Sequence, residues 1–250
     1  MNSDIIDQFE TLARDPYLYA EQYSLETGRK AIAYMCRYFP EEIVHAAGFL
    51  PLRVWGTTQP SPRINAHLQT YCCNVVKSIL DRMIQGKLDY VAGTIFSHSC
   101  DSLQCLSDIW ELNSQFAFHD TFNMPGNLNS TASCQYLIKE LQRIKTRLEE
   151  FSGKSITKND LQESIRIYEK TRQLMKKLYQ LRREKSGLIP DARISDTIIA
   201  SAVMERKNYN ALLEAMIRYF NEQNPPHSES RSRVFITGSI CADPDFYQLL

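Results

Sequence analysis

A cysteine follows directly after a stretch with the pattern of a buried strand. Residues 90–96 are strand-like, and a short polar loop leads from them to Cys100. A helical pattern begins at Ser102, so Cys100 lies where a strand gives way to a helix. The N–H groups that start a helix favour an anion such as a thiolate or a sulfide. Cys100 is therefore a candidate metal ligand or reactive thiolate. The alternative is a buried cysteine that packs as a small hydrophobe.

Two further cysteines have comparable surroundings. Cys73 lies near the start of the helix that follows the second predicted strand, and Cys241 follows a strand predicted from residue 233. Three thiolates from separate loops can hold three irons of a 4Fe–4S cluster and leave the fourth iron open to substrate. The chain has no Cys-x-x-Cys pair, which gives little support to a zinc or ferredoxin-type site. Cys105 and Cys134 lie within helical patterns and are interpreted as packing residues.

The composition is neutral and excludes several classes of partner. The 250 residues include 29 basic and 29 acidic side chains, which predicts no nucleic-acid footprint and no anionic membrane partner. No apolar run reaches the roughly eighteen residues of a membrane span, and the start of the chain lacks the pattern of a signal peptide. We therefore expect a cytoplasmic protein. Seven cysteines, an odd number, argue against a disulfide framework.

Strands and helices alternate in the first half of the chain. The predicted strands cover residues 30–36, 50–55, 90–96 and 116–122, and the predicted helices cover residues 5–12, 40–48, 65–85 and 102–112. This order predicts an α/β fold with a parallel sheet and right-handed crossovers. We expect a flavodoxin-like strand order of 2-1-3-4, which would place Cys36 and Cys100 at the ends of neighbouring strands, where ligands collect.

The second half of the chain is predicted to form longer helices. Helices are predicted at residues 133–151, 158–185 and as a pair within 195–221. A linker and a strand follow, and the strand begins at residue 233 and runs into a Gly-Ser loop before Cys241. The sequence at 152–155 is similar to a P-loop but is interpreted as a helix stop followed by a helix start at 157–160. We expect a flavodoxin-like lobe at 1–128, a helical segment at 129–224, and at 225–250 a linker with the first strand and helix of a truncated second lobe. Such an incomplete lobe is expected to expose apolar surface and to associate with another chain.

Four separated motifs carry a resemblance to a known family. Residues 28–53, residues 71–78, residues 97–101 together with Trp110, and residues 237–241 resemble the benzoyl-CoA reductase and 2-hydroxyglutaryl-CoA dehydratase family. The resemblance implies an oxygen-sensitive subunit of two flavodoxin-like lobes with a 4Fe–4S cluster between them, acting on acyl-CoA thioesters. It also implies a homologous second subunit or a homodimer and a separate ATP-dependent iron–sulfur activator.

The resemblance assigns roles to individual residues. It implies that Cys73, Cys100 and Cys241 are the metal ligands, with Cys36 as an alternative third ligand. His98 and Glu41 are the catalytic candidates. The alternatives are a solvated or capping role for His98 and a place in the first turn of a helix for Glu41. Residues beside the cysteines are assigned to cofactor binding: Ser99, Asp101, Gly238 and Ser239.

The expected activity follows from the same resemblance. It is that of an iron–sulfur subunit of a 2-hydroxyacyl-CoA dehydratase-type enzyme, which forms a ketyl radical of the thioester by one-electron reduction and releases water. One alternative is a benzoyl-CoA reductase-type subunit that reduces an aromatic acyl-CoA. A non-catalytic scaffold or electron-transfer subunit is a further candidate, and so is an iron-free variant with packed cysteines.

Overall fold

The computed structural model describes residues 2–36, 38–56, 61–225, 235–237 and 246–247. The chain divides into two compact units, one formed by Glu21–Ser164 and the other by Met1–Ala20 together with Ile165–Leu250. The division by sequence pattern into 1–128, 129–224 and 225–250 stays a prediction.

The first of these units contains a parallel sheet. Its strands are β1 (Ala31–Met35), β2 (Leu50–Arg53), β3 (Val91–Ser97) and β4 (Phe118–Phe122). The order across the sheet is β2-β1-β3-β4 and every neighbouring pair is parallel, which confirms the predicted α/β fold and strand order. Helices can cover both faces of such a sheet, so its central strands are apolar on both sides. This is why β1 is buried along its whole length.

Helices make up most of the remaining described residues. They are α1 (Asn2–Arg14), α2 (Pro16–Thr27), α3 (Glu41–Ala46), α4 (Asn74–Ile84), α5 (Asp101–Asn113), α6 (Thr131–Ser152), α7 (Lys158–Glu184), α8 (Asp191–Ser201) and α9 (Arg206–Glu222). A 3₁₀ turn, Pro62–Ala66, precedes α4.

The two faces of β3 pack against different helices. Ile95 belongs to a core that also contains Val44 of α3 and Ile144 of α6. Neighbouring side chains of a strand point to opposite faces, and Phe96 accordingly lies against α5, with its ring centroid 5.5 Å from that of Trp110. Helices α4 and α5 also contact each other. The sheet therefore has α3 and α6 on one face and α5, with α4 beside it, on the other.

The second unit is helical. Its core joins Phe9 of α1 to Leu178 of α7 and to Tyr209 and Leu213 of α9. The Tyr209 hydroxyl donates to the carbonyl oxygen of Thr197 at 3.1 Å, and its burial raises the pKa of this side chain. These contacts show a packed helical core rather than a loose set of helices.

Three sequence-based predictions differ from the structure. The helix predicted at 65–85 begins only at Asn74. The prediction started too early because Ile64 and Leu68, in the 3₁₀ turn and the loop before α4, are both buried and have the apolar spacing of a helix. Helix α2 was not predicted, since it has a weak division into apolar and polar sides. Of the strand predicted from residue 233, the described residues 235–237 have no regular secondary structure.

The helix stop and start predicted at residues 152–160 are confirmed. Helix α6 ends at Ser152, and Gly153 caps it in the left-handed conformation with a φ of 68°. Thr157 and Asp160 then bond reciprocally, with the Thr157 N–H donating to the Asp160 carboxylate at 2.9 Å and the Asp160 N–H donating to the Thr157 hydroxyl at 3.2 Å. Such a box starts a helix. This segment is a junction between α6 and α7, not a P-loop.

Candidate functional site

Cys100 occupies the N-cap position of α5. Strand β3 ends at Ser97, and the His98 N–H then donates to the carbonyl oxygen of Phe122 at 2.9 Å, which ties the loop to the end of β4. The Cys100 carbonyl oxygen accepts from the Leu103 N–H at 3.1 Å, but its side chain makes no capping hydrogen bond. The thiol is exposed. A sulfur in this position is accessible to a ligand, and the positive end of the helix dipole stabilises negative charge on it.

Cys73 occupies the same position on α4. Its carbonyl oxygen accepts from the Lys77 N–H at 3.1 Å, its side chain makes no capping bond, and the thiol is exposed. The Lys77 side chain is buried and its ammonium donates to the carbonyl oxygen of Thr70 at 2.6 Å. Lys77 therefore holds the loop that precedes Cys73. Sequence patterns pointed to this lysine only as part of residues 71–78, one of the segments that carry the family resemblance.

The topology brings both N-caps to one edge of the sheet. Helix α5 starts directly after β3, so Cys100 lies at the carboxyl edge. Helix α4 follows β2 and ends at Ile84, shortly before β3 begins. Because β3 begins at the opposite edge of the sheet, the end of α4 lies there, and its start, with Cys73, lies at the carboxyl edge. Because α4 and α5 contact each other, the two thiols come from neighbouring helices. In open α/β sheets ligands bind at this edge.

A glycine allows the close approach of α4. A Cβ atom at Gly56 would lie 1.8 Å from the Cβ of Ser78 and 2.8 Å from its Cα. Gly56 follows β2, and Ser78 is in α4. Only glycine lets the backbone pass at this distance. The position of α4, and hence of Cys73, therefore depends on Gly56.

Glu41 lies in the first turn of α3 and is half-buried. The Tyr34 hydroxyl donates a hydrogen bond to its carboxylate, and the Tyr34 ring stacks on Phe39 with the centroids 4.0 Å apart. Strand β1 and the start of α3 therefore orient this carboxylate at the carboxyl edge. His98 is exposed in the loop before Cys100. Both catalytic candidates thus lie at the edge that carries the two cysteines.

The other predicted site residues fall into two groups. Ser99 and Asp101 flank Cys100 and are exposed. Three residues lie outside the described part of the chain: Gly238, Ser239 and Cys241. Cys36, the alternative third ligand, directly follows β1 and has a φ of 62°, in the left-handed region that favours glycine. A strained backbone at the end of a strand is typical of functional sites.

The interpretation of Cys105 and Cys134 as packing residues is wrong. Both thiols are exposed, Cys105 on α5 and Cys134 on α6. The buried positions of α5 include Leu103, Leu106 and Trp110, and a residue two positions after Leu103 falls on another side of the helix. A helical pattern locates a cysteine on a helix without showing which side of it is buried.

A half-buried histidine links the strands to α5, and sequence patterns gave no signal for it. His119 of β4 has Nδ1 3.0 Å from the Thr94 hydroxyl oxygen and Nε2 3.1 Å from the Ser107 hydroxyl oxygen. Burial lowers the pKa of His119, an effect that nearby carboxylates oppose. The neutral imidazole therefore joins β3, β4 and the helix that begins after Cys100.

Comparison with known proteins identifies the family. The sequence profile of the family described as 2-hydroxyglutaryl-CoA dehydratase, D-component, matches residues 36–250. The chain belongs to this family. The match covers the strand ends and helix starts described above, and it confirms the resemblance stated from the sequence motifs.

Individual relatives of this chain are subunits of acyl-CoA enzymes. A benzoyl-CoA reductase subunit of Thauera aromatica is 32% identical over 97% of this chain and 64% of its own length. The beta subunit of lactoyl-CoA dehydratase of Anaerotignum propionicum is 29% identical, over 94% of this chain and 62% of its own length. The beta subunit of (R)-2-hydroxyglutaryl-CoA dehydratase of Acidaminococcus fermentans is 27% identical, over 86% and 57%. The chain therefore spans less than two thirds of the length of these relatives.

The donor chemistry at the carboxyl edge of the sheet fits an iron–sulfur cluster. Two exposed thiols at helix N-caps are suitable soft ligands for iron. Within the described residues no three His, Cys, Asp or Glu side chains group as a metal site would require. The predicted third ligand, Cys241, is not among those residues. None of the helices in the described ranges has the length and apolarity of a membrane span.

Proposed function

We propose that this chain is an iron–sulfur subunit of a 2-hydroxyacyl-CoA dehydratase-type enzyme. A 4Fe–4S cluster would be held by Cys73, Cys100 and Cys241. The observation that carries the proposal is the shared position of Cys73 and Cys100, both exposed N-cap residues at the carboxyl edge of the sheet. Membership of the D-component family supports it.

The proposed reaction removes water from a 2-hydroxyacyl-CoA. The bond from C2 to the hydroxyl oxygen breaks, a proton leaves C3, and the products are the enoyl-CoA and water. When bound, the cluster supplies the one-electron reduction that amino-acid side chains cannot perform. The added electron returns at the end of the cycle, so the dehydration is redox-neutral overall.

The chain's own residues would handle the substrate and the proton. The Glu41 carboxylate, oriented by the Tyr34 hydroxyl, would accept the proton from C3. His98, exposed beside Cys100, would donate a hydrogen bond to the thioester oxygen. Ser99 and Asp101 would line the cofactor site from the loop and first turn of α5, and Gly238 and Ser239 would line it from the loop before Cys241.

A second candidate is reduction of an aromatic acyl-CoA. The benzoyl-CoA reductase relative is 32% identical over 97% of this chain, which favours this candidate as much as the dehydratase relatives favour the first. The two reactions share the cluster and the thioester and differ in the group that accepts the electron. A third candidate is a scaffold or electron-transfer subunit without its own turnover.

The proposal includes other protein partners. The relatives are named as subunits of larger enzymes, which supports a homologous second subunit here, and a homodimer is the alternative. The exposed side chains of Phe235 and Ile236 offer apolar surface for such a contact. A separate ATP-dependent iron–sulfur activator would supply the low-potential electron. The expected compartment is the cytoplasm, where thiols stay reduced.

Anaerobic reconstitution tests the metal site. The chain is purified without oxygen, supplied with iron and sulfide, and measured for iron, sulfide and brown absorbance. We expect about four irons per chain for a 4Fe–4S cluster. Cys100→Ala and Cys73→Ala should lose most of the bound iron. A colourless, iron-free wild-type chain would overturn the proposal.

Exposed cysteines elsewhere provide matched controls. Cys105 and Cys134 are exposed, as Cys73 and Cys100 are, but they lie within helices rather than at N-caps. Cys105→Ala and Cys134→Ala should therefore keep the wild-type iron content. Equal loss of iron in the controls would show that iron binds to surface thiols without a built site.

Turnover separates the reaction classes. The cluster-loaded chain, its partner subunit, an activator, ATP and a strong reductant are combined with aliphatic 2-hydroxyacyl-CoA or aromatic acyl-CoA compounds. Formation of an enoyl-CoA supports the dehydratase, and loss of ring aromaticity supports the reductase. Absence of product and of any EPR change with either class would favour the scaffold or electron-transfer role.

A further inference from the structure

Strand β4 lies at one side of the sheet. Among the described residues it pairs only with β3, and no strand lies on its other side. The Phe122 carbonyl oxygen accepts from the His98 N–H at 2.9 Å, so the backbone groups of Phe122 face β3. Because these groups alternate along a strand, those of His119, Thr121 and Asn123 face away from β3. Unpaired groups in such a row are a template for pairing with another chain.

Both outward-facing backbone groups of Thr121 are already bonded to charged side chains. The Thr121 N–H donates to the Asp120 carboxylate at 2.7 Å, and the Thr121 carbonyl oxygen accepts from the guanidinium of Arg143 on α6. The same guanidinium donates to the Asp120 carboxylate at 2.8 Å. A second strand would therefore have to displace an ion pair in order to bond to Thr121.

The neighbouring outward-facing groups are bonded in the same way. The Asn123 N–H donates to the Glu140 carboxylate at 3.0 Å, and the His119 carbonyl oxygen accepts from the Arg147 guanidinium at 3.5 Å. Charged side chains along an edge are one of the means by which proteins prevent strands of different chains from pairing. The edge cap, as these charged side chains are called below, consists of Asp120, Glu140, Arg143 and Arg147.

The strand at the other side of the sheet, β2, carries a different obstacle. The Leu50 N–H donates to the Lys30 carbonyl oxygen at 2.9 Å, and the Val54 N–H donates to the Tyr34 carbonyl oxygen at 2.8 Å. Leu50 and Val54 therefore face β1, and Pro51 faces away from it. Proline has no N–H to offer a further strand. Both outer strands of the described sheet thus oppose strand addition.

We infer that the edge cap closes β4 against strand addition by a second copy of this chain. Without the cap, the outward backbone groups of a strand rich in Phe and Thr would be unpaired, and such an edge pairs with another strand. Association of the intact chain, including that with the homologous subunit proposed above, therefore uses surfaces other than the free edge of β4. The edge cap does not depend on the proposed cluster, so its test uses the chain without iron.

Analytical ultracentrifugation of a four-alanine variant tests the edge cap. The variant carries Asp120→Ala, Glu140→Ala, Arg143→Ala and Arg147→Ala, which remove two acids and two bases and leave the net charge unchanged. Because an open edge pairs with another strand, its weight-average mass at high concentration should rise to about twice the wild-type value or more. A variant that is folded by circular dichroism and keeps the wild-type mass would overturn the inference.

Two exposed ion pairs on α7 and α9 provide the matched control. Lys170 pairs with Glu214 at 3.0 Å, and Arg172 pairs with Glu169 at 2.7 Å. Alanine at these four positions also removes two acids and two bases but uncovers no strand, so the mass should stay at the wild-type value. An equal rise in mass in this control would show that loss of surface charge alone causes association, and the edge cap would then have no special role.

A proline shows where the association takes place. Thr121→Pro, added to the four-alanine variant, removes an outward N–H of β4 and no bond to β3. The mass should return to the wild-type value. If the variant stays associated with the proline in place, the contact lies on another surface and the inference is wrong.

Hydrogen exchange of the wild type gives a measurement that does not require the variant to fold. The N–H groups of Thr121 and Asn123 face away from β3, yet their exchange should be slow because each donates to a carboxylate. Exchange as fast as that of an unstructured peptide would show that the edge cap does not persist in solution and would overturn the inference.

Discussion

Nε2 of His119 lies 3.1 Å from the hydroxyl oxygen of Ser107, and this contact joins β4 to α5. The other ring nitrogen lies 3.0 Å from the Thr94 hydroxyl oxygen on β3. Helix α5 begins after Cys100, so the histidine fixes the helix on which the proposed ligand depends. The contacts hold a neutral imidazole, consistent with the lowered pKa that burial causes.

The first prediction concerns stability in mild acid. The unfolded chain has a histidine pKa of about 6.5, and the folded value for His119 is lower. Between these two values the unfolded state binds more protons, so stability should fall as the pH drops below about 6.5. Urea unfolding at a series of pH values measures this loss. His119→Gln should reduce the dependence of stability on pH between the folded and unfolded pKa values.

An exposed histidine provides the comparison for the substitution itself. His67 is exposed in the loop before α4, so His67→Gln makes the same chemical change without removing the contacts that His119 makes. A wild-type stability that does not change between pH 7 and 5 would contradict the prediction for His119.

The second prediction concerns the clamp between α6 and β4. The Arg143 guanidinium donates to the Asp120 carboxylate at 2.8 Å, to the Glu140 carboxylate at 2.9 Å and to the carbonyl oxygen of Thr121. Arg143→Ala should lower the free energy of unfolding by about 2 kcal/mol, because it removes several charge-assisted bonds. Arg172→Ala removes an exposed pair with Glu169 and should change it by less than about 1 kcal/mol.

Acid unfolding provides an independent check of the same clamp. The Arg143 guanidinium lowers the pKa of Glu140 below its usual value. The stability from this carboxylate is present above the unfolded value of about 4.3 and is lost as the pH falls through the folded pKa. Arg143→Ala should weaken this acid-dependent loss. If Arg143→Ala loses stability at low pH in the same way as the wild type, groups other than Arg143 lower the pKa of Glu140.

The third prediction concerns the glycine beneath α4. Gly56→Ala places a Cβ atom within 1.8 Å of the Ser78 Cβ, so strand end and helix must move apart. We expect a loss of about 1–3 kcal/mol in stability, as for an overpacked core. Because Cys73 starts α4, the variant should also retain less iron after reconstitution. A Cβ atom at Gly126 would have no neighbouring atom within 4 Å, so Gly126→Ala should keep the wild-type stability and iron content.

The fourth prediction identifies the third ligand. If Cys241 completes the site, Cys241→Ala should lose iron as Cys100→Ala does, and Cys36→Ala should keep it. Iron and sulfide analysis of the four alanine variants at positions 36, 73, 100 and 241 decides between the two cysteines. Iron lost from Cys36→Ala and kept in Cys241→Ala would reverse the assignment.

Local sequence patterns predicted much of the fold. Strand-like runs separated by helical spacing predicted β1 to β4 and their parallel order. β1 is apolar throughout because it is buried on both faces. The junction at Gly153 was also predictable, since a left-handed cap and a Thr–Asp box depend only on neighbouring residues. The break before Asn74 was not, because Ile64 and Leu68 keep a helical spacing while both are buried.

The sequence by itself determined the types of residue available for chemistry and their placement after strands, including Cys100 after β3 and Cys73 near α4. Only the tertiary structure decided which side chains are exposed, which are buried, and which lack partners. It exposed Cys105 and Cys134, placed His119 between two hydroxyls, and left the Ser97 hydroxyl without a partner among the described residues. Burial and hydrogen bonding depend on contacts between distant segments, and local sequence patterns do not encode these contacts.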